Sequence, residues 1–192
     1  MAEVWVVNAS PLILLARIGQ LAWLEQLAQV VWVPATVIRE VEAGKDKDSS
    51  ANVAIDWAAL RRIADIPLPG SVQIWDIDPG ESQVIAHAIT LKCRAVLDDA
   101  AARRCAQAHG LTVVGSVGVV LRAKKAGIIT QAKPWLEQLR GNRSDPSPRP
   151  SPTRGEGVIA KQLLSVSPLP LWEGVRGRGV NAYVTGCGNV CG

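Results

Sequence analysis

The sequence predicts an α/β protein with a mainly parallel central sheet covered by helices on both faces, and three observations carry that prediction. Short apolar runs alternate with helical patterns along the first 140 residues. None of these runs is polar enough for a strand with one solvated face. The chain has 192 residues, of which 48% are hydrophobic, and this is enough for one domain with a substantial core.

The first half of the chain follows the order strand, helix, strand, helix. Ser10 and Pro11 have the residue types of a helix N-cap and first helical position, and Gly19 ends that helix. Pro34 opens a later helix with an apolar face. The predicted elements are a strand at Val4–Val7, a helix at Leu12–Ile18, an amphipathic turn at Leu21–Leu27, a strand at Val30–Val33, a helix from Pro34, a polar loop at 45–52 and a helix from Val53 to Ile63.

The second half continues the alternation. Asp78 and Glu81 have the D-x-x-E spacing of a capping box, while Gly110 and Gly127 stand where helices end. Together with the first half, this pattern gives five predicted strands. The predicted elements are a strand at Val72–Ile77, a helix from Asp78 to Lys92, a strand at Ala95–Leu97, a helix at Ala100–His109, a strand at Thr112–Val114, a helix at Val117–Ala126 and a helix at Gln131–Arg140.

The end of the chain differs in composition from the rest. Six of the 12 Pro and nine of the 17 Gly fall in residues 141–192, a level typical of disordered sequence. We therefore predict a folded domain at 1–141 and a disordered Pro/Gly/Arg-rich tail at 142–192. The tail repeats a Pro-rich then Gly/Arg-rich pattern, which translation of a palindromic DNA repeat would produce, so we interpret it as read-through of an intergenic repeat.

Charge and cysteine content limit the possible settings of the protein. Residues 1–140 carry 15 Lys/Arg against 14 Asp/Glu, and this nearly neutral balance argues against a non-specific nucleic-acid coat protein. The apolar N-terminal run lacks a basic segment and is interrupted by Asn8, Ser10 and Pro11, so we predict neither a signal peptide nor a membrane span there. The four cysteines are predicted to be reduced thiols, and the protein is predicted to be cytoplasmic.

Four acidic residues lie on elements that meet at the predicted carboxyl edge of the sheet, where strands end and the following helices begin. Asp98 and Asp99 directly follow a buried strand, Glu81 lies in the first turn of a helix, and Glu40 lies on the helix after the second strand. Ligands of open α/β sheets bind outside the carboxyl ends of the strands, where carboxylate oxygens suit a hard cation such as Mg²⁺. The sequence therefore predicts that these acids converge on one or two metal ions.

Each acid also has a structural interpretation. Glu81 completes the capping box with Asp78, Asp99 is a natural N-cap, and Glu40 belongs to a face that solvent can cover. Asp98 has the strongest functional interpretation, because Asp99 is the expected N-cap of the next helix and this leaves Asp98 without a capping role. A phosphoacceptor receiver domain would need its acidic pair after the first strand, whereas this pair follows the fourth predicted strand.

Four segments, taken together, resemble the PIN-domain family, in its small toxin-like branch DUF3368. The segments are VVNASPLILLARIGQL, PATVIREV, DPGESQVIAHA and VLDDAAARRCAQAHGLTVVGSVGVVLRAKKAGII. The resemblance spans roughly residues 4–140. It implies a three-layer α/β/α fold and a single-strand endoribonuclease that depends on Mg²⁺ or Mn²⁺. It also implies the toxin of a type II toxin–antitoxin pair, with an RNA substrate, a small antitoxin protein as partner and a homodimeric assembly.

Carried over by position, the resemblance makes Glu40, Glu81 and Asp98 catalytic acids and metal ligands, with Asp99 as a further candidate ligand. Most PIN nucleases have Asp at the end of the first strand, whereas this chain has Asn8. An amide oxygen can ligate Mg²⁺ but brings no negative charge, so metal binding should weaken. The alternative function is therefore a weakened PIN-like module that binds an antitoxin or RNA without cutting, and Asn8 can also simply bond the turn after it.

Four residues are candidates for substrate contact. Ser10 either caps its helix or contacts a ligand, and Ser116 lies in Gly115–Gly118 at a strand-to-helix junction where free N–H groups can hold an anion. Tight packing explains these glycines as well as phosphate does. Arg103 and Arg104 could form a basic border for RNA together with Arg122, Lys124 and Lys125, although exposed charge on helices is the commoner reason for such residues.

Overall fold

The computed structural model describes residues 3–47 and 49–141, and in them five strands form one parallel sheet. The strand order is β3-β2-β1-β4-β5, and every neighbouring pair is parallel. The prediction of a parallel α/β sheet is therefore confirmed. The strands are β1 (Val4–Val7), β2 (Val30–Pro34), β3 (Arg62–Ile63), β4 (Arg94–Val96) and β5 (Val113–Val114).

Helices cover the sheet in two groups, which gives the three layers that were predicted. One group comprises α1, α2, α4, α8 and α9, while α6 packs against β1, β4 and β2 together with its neighbours α5 and α7. Helix α3 contacts both groups. The helices are α1 (Ala9–Arg17), α2 (Ala22–Leu27), α3 (Ala35–Ala43), α4 (Ser50–Ala59), α5 (Gly70–Gln73), α6 (Pro79–Leu91), α7 (Ala100–Ala108), α8 (Ser116–Lys125) and α9 (Lys133–Gly141), with a 3₁₀ turn at Lys45–Lys47.

The core lies on both faces of the two central strands. Trp5 in β1 and Leu97 just after β4 are completely buried, as fully two-sided coverage of a parallel sheet requires. The chain has no Phe, and Trp supplies the large aromatic volume. Trp23 packs edge-on against Trp135, with ring centroids 5.1 Å apart, and this contact joins α2 to α9. Cys93 and Cys105 are free thiols, as predicted.

The strand order places a switch point between β1 and β4. The chain builds β1, β2 and β3 outward in one direction, then returns to add β4 and β5 on the other side of β1. At such a point the loops leaving the carboxyl ends diverge, and a crevice opens between them. Val7 pairs with Val96, and the Asn8 backbone N–H donates to the Val96 carbonyl at 3.1 Å. Asn8 and the residues after β4 therefore meet at this crevice.

The prediction of a strand at Val72–Ile77 is wrong. Gly70–Gln73 is a short helix that begins after Pro69, and no strand follows it before α6. Val72 is completely buried, whereas Ile74 is 83% exposed. Val72 packs in the core with the short helix against α6 and Ile74 faces solvent, because tertiary contacts override the local period of two.

The sheet contains one strand that was not predicted, and this strand lies earlier in the sequence. It is β3, which falls inside the helix that was predicted from Val53 to Ile63. Helix α4 begins at Ser50, within the predicted polar loop, and ends at Ala59. A strand of two residues is too short for an alternation of apolar and polar residues to be recognised in the sequence.

Helix α1 also begins earlier than predicted. Its first residue is Ala9, and Asn8 holds the N-cap position without a side-chain capping hydrogen bond. Ser10 is therefore inside the helix, so its predicted role as the cap is wrong. The predicted disorder and repeat origin of residues 142–192 lie outside the described residues.

Candidate active site at the carboxyl edge of the sheet

Asn8 occupies the end of β1 at the centre of this edge. Its side chain is 3% exposed, and its Oδ1 atom is buried without a hydrogen-bond partner among the residues that the structure describes. An unpartnered carbonyl oxygen in a protein interior costs free energy, about 1–3 kcal/mol. The site therefore holds an acceptor that a cation or a donor can satisfy.

Asp98 follows β4 on the other side of the switch point and is held by Ser116. The Ser116 backbone N–H donates to Oδ1 at 2.8 Å, and its hydroxyl donates to Oδ2 at 2.5 Å. Asp98 thus caps the start of α8 from a neighbouring strand, so the expectation that it has no cap to make is wrong. Ser116 is 1% exposed, and both of its donors are directed at Asp98.

Asp99 caps the helix that follows it, as predicted. Its Oδ1 atom accepts hydrogen bonds from the backbone N–H groups of Ala101 at 2.6 Å and Ala102 at 2.9 Å. The two adjacent aspartates therefore cap two different helices, α8 and α7. Their negative charges lie at helix N-termini, where the helix dipole stabilises them.

Glu40 reaches this edge from α3 and lies against the first turn of α6. The Gly80 backbone N–H donates to Glu40 Oε1 at 2.7 Å. A Cβ atom on residue 80 would lie 2.7 Å from Glu40 Cδ, so the carboxylate fits only because residue 80 is glycine. Burial raises the pKa of Glu40, and nearby Asp78 raises it further, while the Gly80 hydrogen bond and Arg39 lower it.

Glu81 is the most perturbed acid of the group. It is 6% exposed, and its Oε2 atom accepts the Asp78 backbone N–H at 3.4 Å, one half of the predicted capping box. Burial raises its pKa to about 7, and the charges of Asp99, Asp78 and Glu40 raise it as well, against the lowering effect of the Asp78 hydrogen bond. The structure therefore brings Glu40, Glu81 and Asp99 within electrostatic reach of one another.

The oxygen atoms at this edge have the chemistry that a hard divalent cation prefers. The orphaned Asn8 Oδ1 and the crowded negative charges around Glu81 both fit such an ion. Among residues 3–47 and 49–141, however, no group of three or more His, Cys, Asp or Glu side chains is arranged to hold a metal. A cation here would therefore need the Asn8 amide oxygen together with the carboxylates.

The residues that were predicted to contact the substrate differ in their exposure and in their contacts. The Arg103 guanidinium folds back, and Nη1 donates to the Leu97 carbonyl at 3.1 Å. Arg104 is exposed on α7, and Ser10 is exposed in the first turn of α1. Arg103 and Ser10 thus border the edge, while Ser116 lies beneath it.

Two glycines and one acid of this site were not among the predicted site residues. A Cβ on Gly115 would lie 2.7 Å from Asp98 Oδ1 and 2.9 Å from Arg103 Nη1, so Gly115 makes room for both side chains. Gly80 does the same for Glu40, and Asp78 adds charge next to Glu40 and Glu81. The capping-box spacing marked Asp78 as structural, and only the close packing reveals its second effect.

Comparison with known proteins decides the family. The family model DUF3368, described as PIN domain, matches residues 4–147, well over half of the chain. The chain belongs to the PIN-domain family. This confirms the resemblance drawn from the sequence motifs, and the PIN domain accounts for the three layers and the parallel sheet. No curated protein matches the chain.

A solved structure also matches this PIN domain. It is the crystal structure of VapBC2 from Rickettsia felis bound to a DNA fragment from their promoter. The match has 13% sequence identity and a TM-score of 0.43, and it covers 59% of this chain and 98% of that chain. In the part of the chain that the structure describes, no helix has both the length and the apolar character needed to cross a membrane.

Proposed function

We propose that this PIN domain is an endoribonuclease that cuts single-stranded RNA with Mg²⁺ or Mn²⁺. One observation carries the proposal: the charges of Asp99, Asp78 and Glu40 act on the buried Glu81 carboxyl, at the edge of the sheet where Asn8 Oδ1 also lies without a hydrogen-bond partner among the described residues. Like charges at one buried site reduce stability, so such crowding indicates a functional site.

The residues that would hold the cation are Asn8, through its amide oxygen, and the carboxylates Glu40, Glu81, Asp98 and Asp99. A bound divalent ion lowers the pKa of water and neutralises charge on a phosphodiester. Ser116 fixes the orientation of Asp98, so we assign it a positioning role in place of the predicted substrate contact. Glu81, with its pKa near 7, can hold or release a proton close to neutral pH.

The biological setting is a further part of the proposal. PIN domains of this small, toxin-like type resemble the toxins of type II toxin–antitoxin pairs. We therefore propose a cytoplasmic toxin with a small antitoxin protein as partner and a homodimeric assembly. Expression of the chain alone should arrest growth, and co-expression of a small protein encoded by an adjacent reading frame should relieve the arrest.

The test of the nuclease is cleavage of end-labelled single-stranded RNA by the full chain, with Mn²⁺, with Mg²⁺ and with a chelator. The matched variant is Asp98→Asn, because an amide oxygen can still accept the Ser116 N–H while the negative charge is lost. We expect this variant to be slower by about 10³-fold, which corresponds to several kcal/mol of lost transition-state stabilisation. Equal cleavage by wild type and variant, or cleavage in the chelator, would contradict the proposal.

A second candidate function is an RNA- or antitoxin-binding module that does not cut. Two observations favour it: a neutral amide stands at position 8, and the described residues contain no ready group of three acidic, His or Cys ligands. Binding of RNA by the wild type without cleavage in either metal, together with cleavage by Asn8→Asp, would support this alternative.

A further inference from the structure

Arg39 is an exposed cation next to the acidic edge. It directly precedes Glu40 in α3, and its side chain is 59% exposed. Its charge lowers the pKa of Glu40, which places the guanidinium within electrostatic reach of the proposed nuclease site. The cations that the sequence offered as a border for RNA were Arg103, Arg104, Arg122, Lys124 and Lys125, so Arg39 was not among them.

The Arg39 side chain is held in place, although it faces solvent. Its Nη2 atom donates to Thr36 Oγ1 at 2.7 Å and to Asp65 Oδ2 at 2.8 Å. The same carboxylate accepts the Thr36 backbone N–H at 2.9 Å and the Thr36 hydroxyl at 2.8 Å. Asp65 thus caps the start of α3 and fixes Arg39 at once, and these contacts lower the pKa of Asp65 despite its burial.

This arrangement leaves part of the guanidinium for another ligand. Both hydrogen bonds of Arg39 use Nη2, and Nε and Nη1 have no partner among residues 3–47 and 49–141. An arginine whose fork is already oriented loses less conformational freedom when it binds a planar or tetrahedral anion. Phosphate is the anion that such a fork recognises best in nucleic acids.

The acidic edge needs such a cation if it is to accept RNA. Asp78, Glu40, Glu81 and Asp99 all contribute negative charge there, and a phosphodiester strand is itself negative. Arg103 donates to the Leu97 carbonyl and packs against Gly115, so part of its guanidinium is used within the protein. Arg39 is on the α3 side of the edge and is fixed without being buried.

We propose that Arg39 binds a phosphate of the RNA strand next to the site of cleavage and that Asp65 and Thr36 position it for this contact. The inference rests on the proposed nuclease function. It assigns one end of the RNA path to the α3 side of the acidic edge. Arg39 contributes to binding of the strand, while the carboxylates act on the scissile bond.

The test measures binding of end-labelled single-stranded RNA to the full chain carrying Asp98→Asn, which removes cleavage. Arg39→Ala added to this background should weaken binding about tenfold and lower the slope of log affinity against log salt by about 0.7, the value for one lost phosphate contact on a single strand. Arg39→Lys should retain part of the affinity, because it keeps the charge but loses the fork. The control is Lys124→Ala, which removes an exposed charge from the last turn of α8, at the opposite edge of the sheet from the acids, and should leave binding unchanged.

A second variant separates positioning from folding. Asp65→Asn keeps Arg39 but removes the charge that orients it, and binding should weaken about threefold, less than for Arg39→Ala. Melting curves accompany each variant. If Arg39→Ala does not fold, Arg39→Lys and Asp65→Asn carry the test, and parental affinity in both would overturn the inference.

The outcomes also separate this inference from the nuclease proposal. In otherwise wild-type protein, Arg39→Ala should raise KM for cleavage with little change in kcat, because it acts on binding of the strand. RNA that is cut normally, with Arg39→Ala no weaker in binding than Lys124→Ala, would overturn the role of Arg39 alone. An absence of both RNA binding and cleavage in the wild type would overturn the nuclease proposal and this inference together.

Discussion

The amino edge of the sheet and its carboxyl edge arrange their charges in opposite ways. At the amino edge, a groove of about 820 Å³ is lined by Lys92, Arg94 and Arg122 together with Glu3. Glu3 Oε1 accepts a hydrogen bond from Arg94 Nε at 3.0 Å and lies 3.0 Å from Arg94 Nη2, so opposite charges pair there. At the carboxyl edge, negative charges face one another, and the pKa of Glu81 is raised to about 7.

Helix direction explains the sign of the charge at each edge but not the crowding. Helix α8 ends at the amino edge with Arg122, Lys124 and Lys125 in its last turn, and Lys92 holds the C-cap position of α6, so cations there complement the negative end of the helix dipole. The same helices begin at the carboxyl edge, where acids complement the positive end. Complementarity needs one acid for each helix, and the carboxyl edge holds more. Helix stability does not explain this excess of acid, and the proposed function rests on it.

Among the changes that test this comparison of the two edges, the largest effect is expected for Gly80→Ala at the carboxyl edge. The new methyl group would displace the Glu40 carboxylate, so cleavage should fall about 10–100-fold, as for loss of a residue that orients a metal ligand. The melting temperature should change little, because the cost of moving the Glu40 carboxylate is offset by the preference of alanine over glycine in a helix, about 1 kcal/mol. The control is Gly70→Ala, at a helical glycine with nothing within 4 Å of a Cβ. Equal activity of the two variants would remove Glu40 from the site.

Asn8→Asp adds charge to the crowded edge and should act in opposite directions with and without metal. Without metal, the melting temperature should fall, because another buried carboxylate joins Glu81 and Asp99. With Mn²⁺, affinity for the ion and cleavage should rise about tenfold, equivalent to about 1.4 kcal/mol. Calorimetric titration of Mn²⁺ and RNA cleavage check this. Unchanged Mn²⁺ affinity would mean that position 8 does not contact the ion.

Glu81→Gln tests the crowding through pH. The folded pKa of Glu81 lies near 7, above its ordinary value of 4.5, so the group favours folding less as pH rises through this interval. The variant loses this penalty and keeps an acceptor for the Asp78 N–H. Its melting temperature should exceed that of the wild type by about 3–6 °C at pH 8 and by little at pH 4.5. A pH-independent difference would show that the pKa of Glu81 is not raised in the folded protein.

The smallest effect is expected at the amino edge. Glu3→Gln removes one charge of the ion pair with Arg94. The Glu3 side chain is 43% exposed, so the free energy of unfolding should fall by about 0.5 kcal/mol or less. RNA cleavage should be unchanged. Thermal melting and the same cleavage assay check both statements. A large loss of cleavage would mean that the two edges are not functionally separate.

The comparison of the edges also explains how far sequence reasoning reached. Glu81 and Asp98 were predicted as site residues from their places at the ends of local elements, and Glu40 from its place on the helix after the second strand. The failures involve contacts between distant segments. Asp98 caps α8 through Ser116, 18 residues away, and Glu40 lies on Gly80, 40 residues away. Local spacing carries no information about such pairs.

The segment at Val72–Ile77 and strand β3 show the same limit in the fold. The apolar alternation at Val72–Ile77 is a local signal, but the position beside β2 is occupied by Arg62–Ile63, whose own pattern is too short to detect. Pairing in a sheet depends on which segment reaches the edge strand. That is set by the lengths and packing of the helices between strands, not by the strand residues themselves.

The sequence by itself determined the α/β class, the parallel sheet, most element boundaries and the family, because hydrophobic period, caps and motifs are properties of short segments. Tertiary structure alone decided which strand lies beside β2, that two glycines make room for acidic side chains, and that Arg39 is fixed by Asp65. It also decided that burial and neighbouring carboxylates raise the pKa of Glu81. These features depend on desolvation and on charges brought together by folding, and neither exists until the chain has packed.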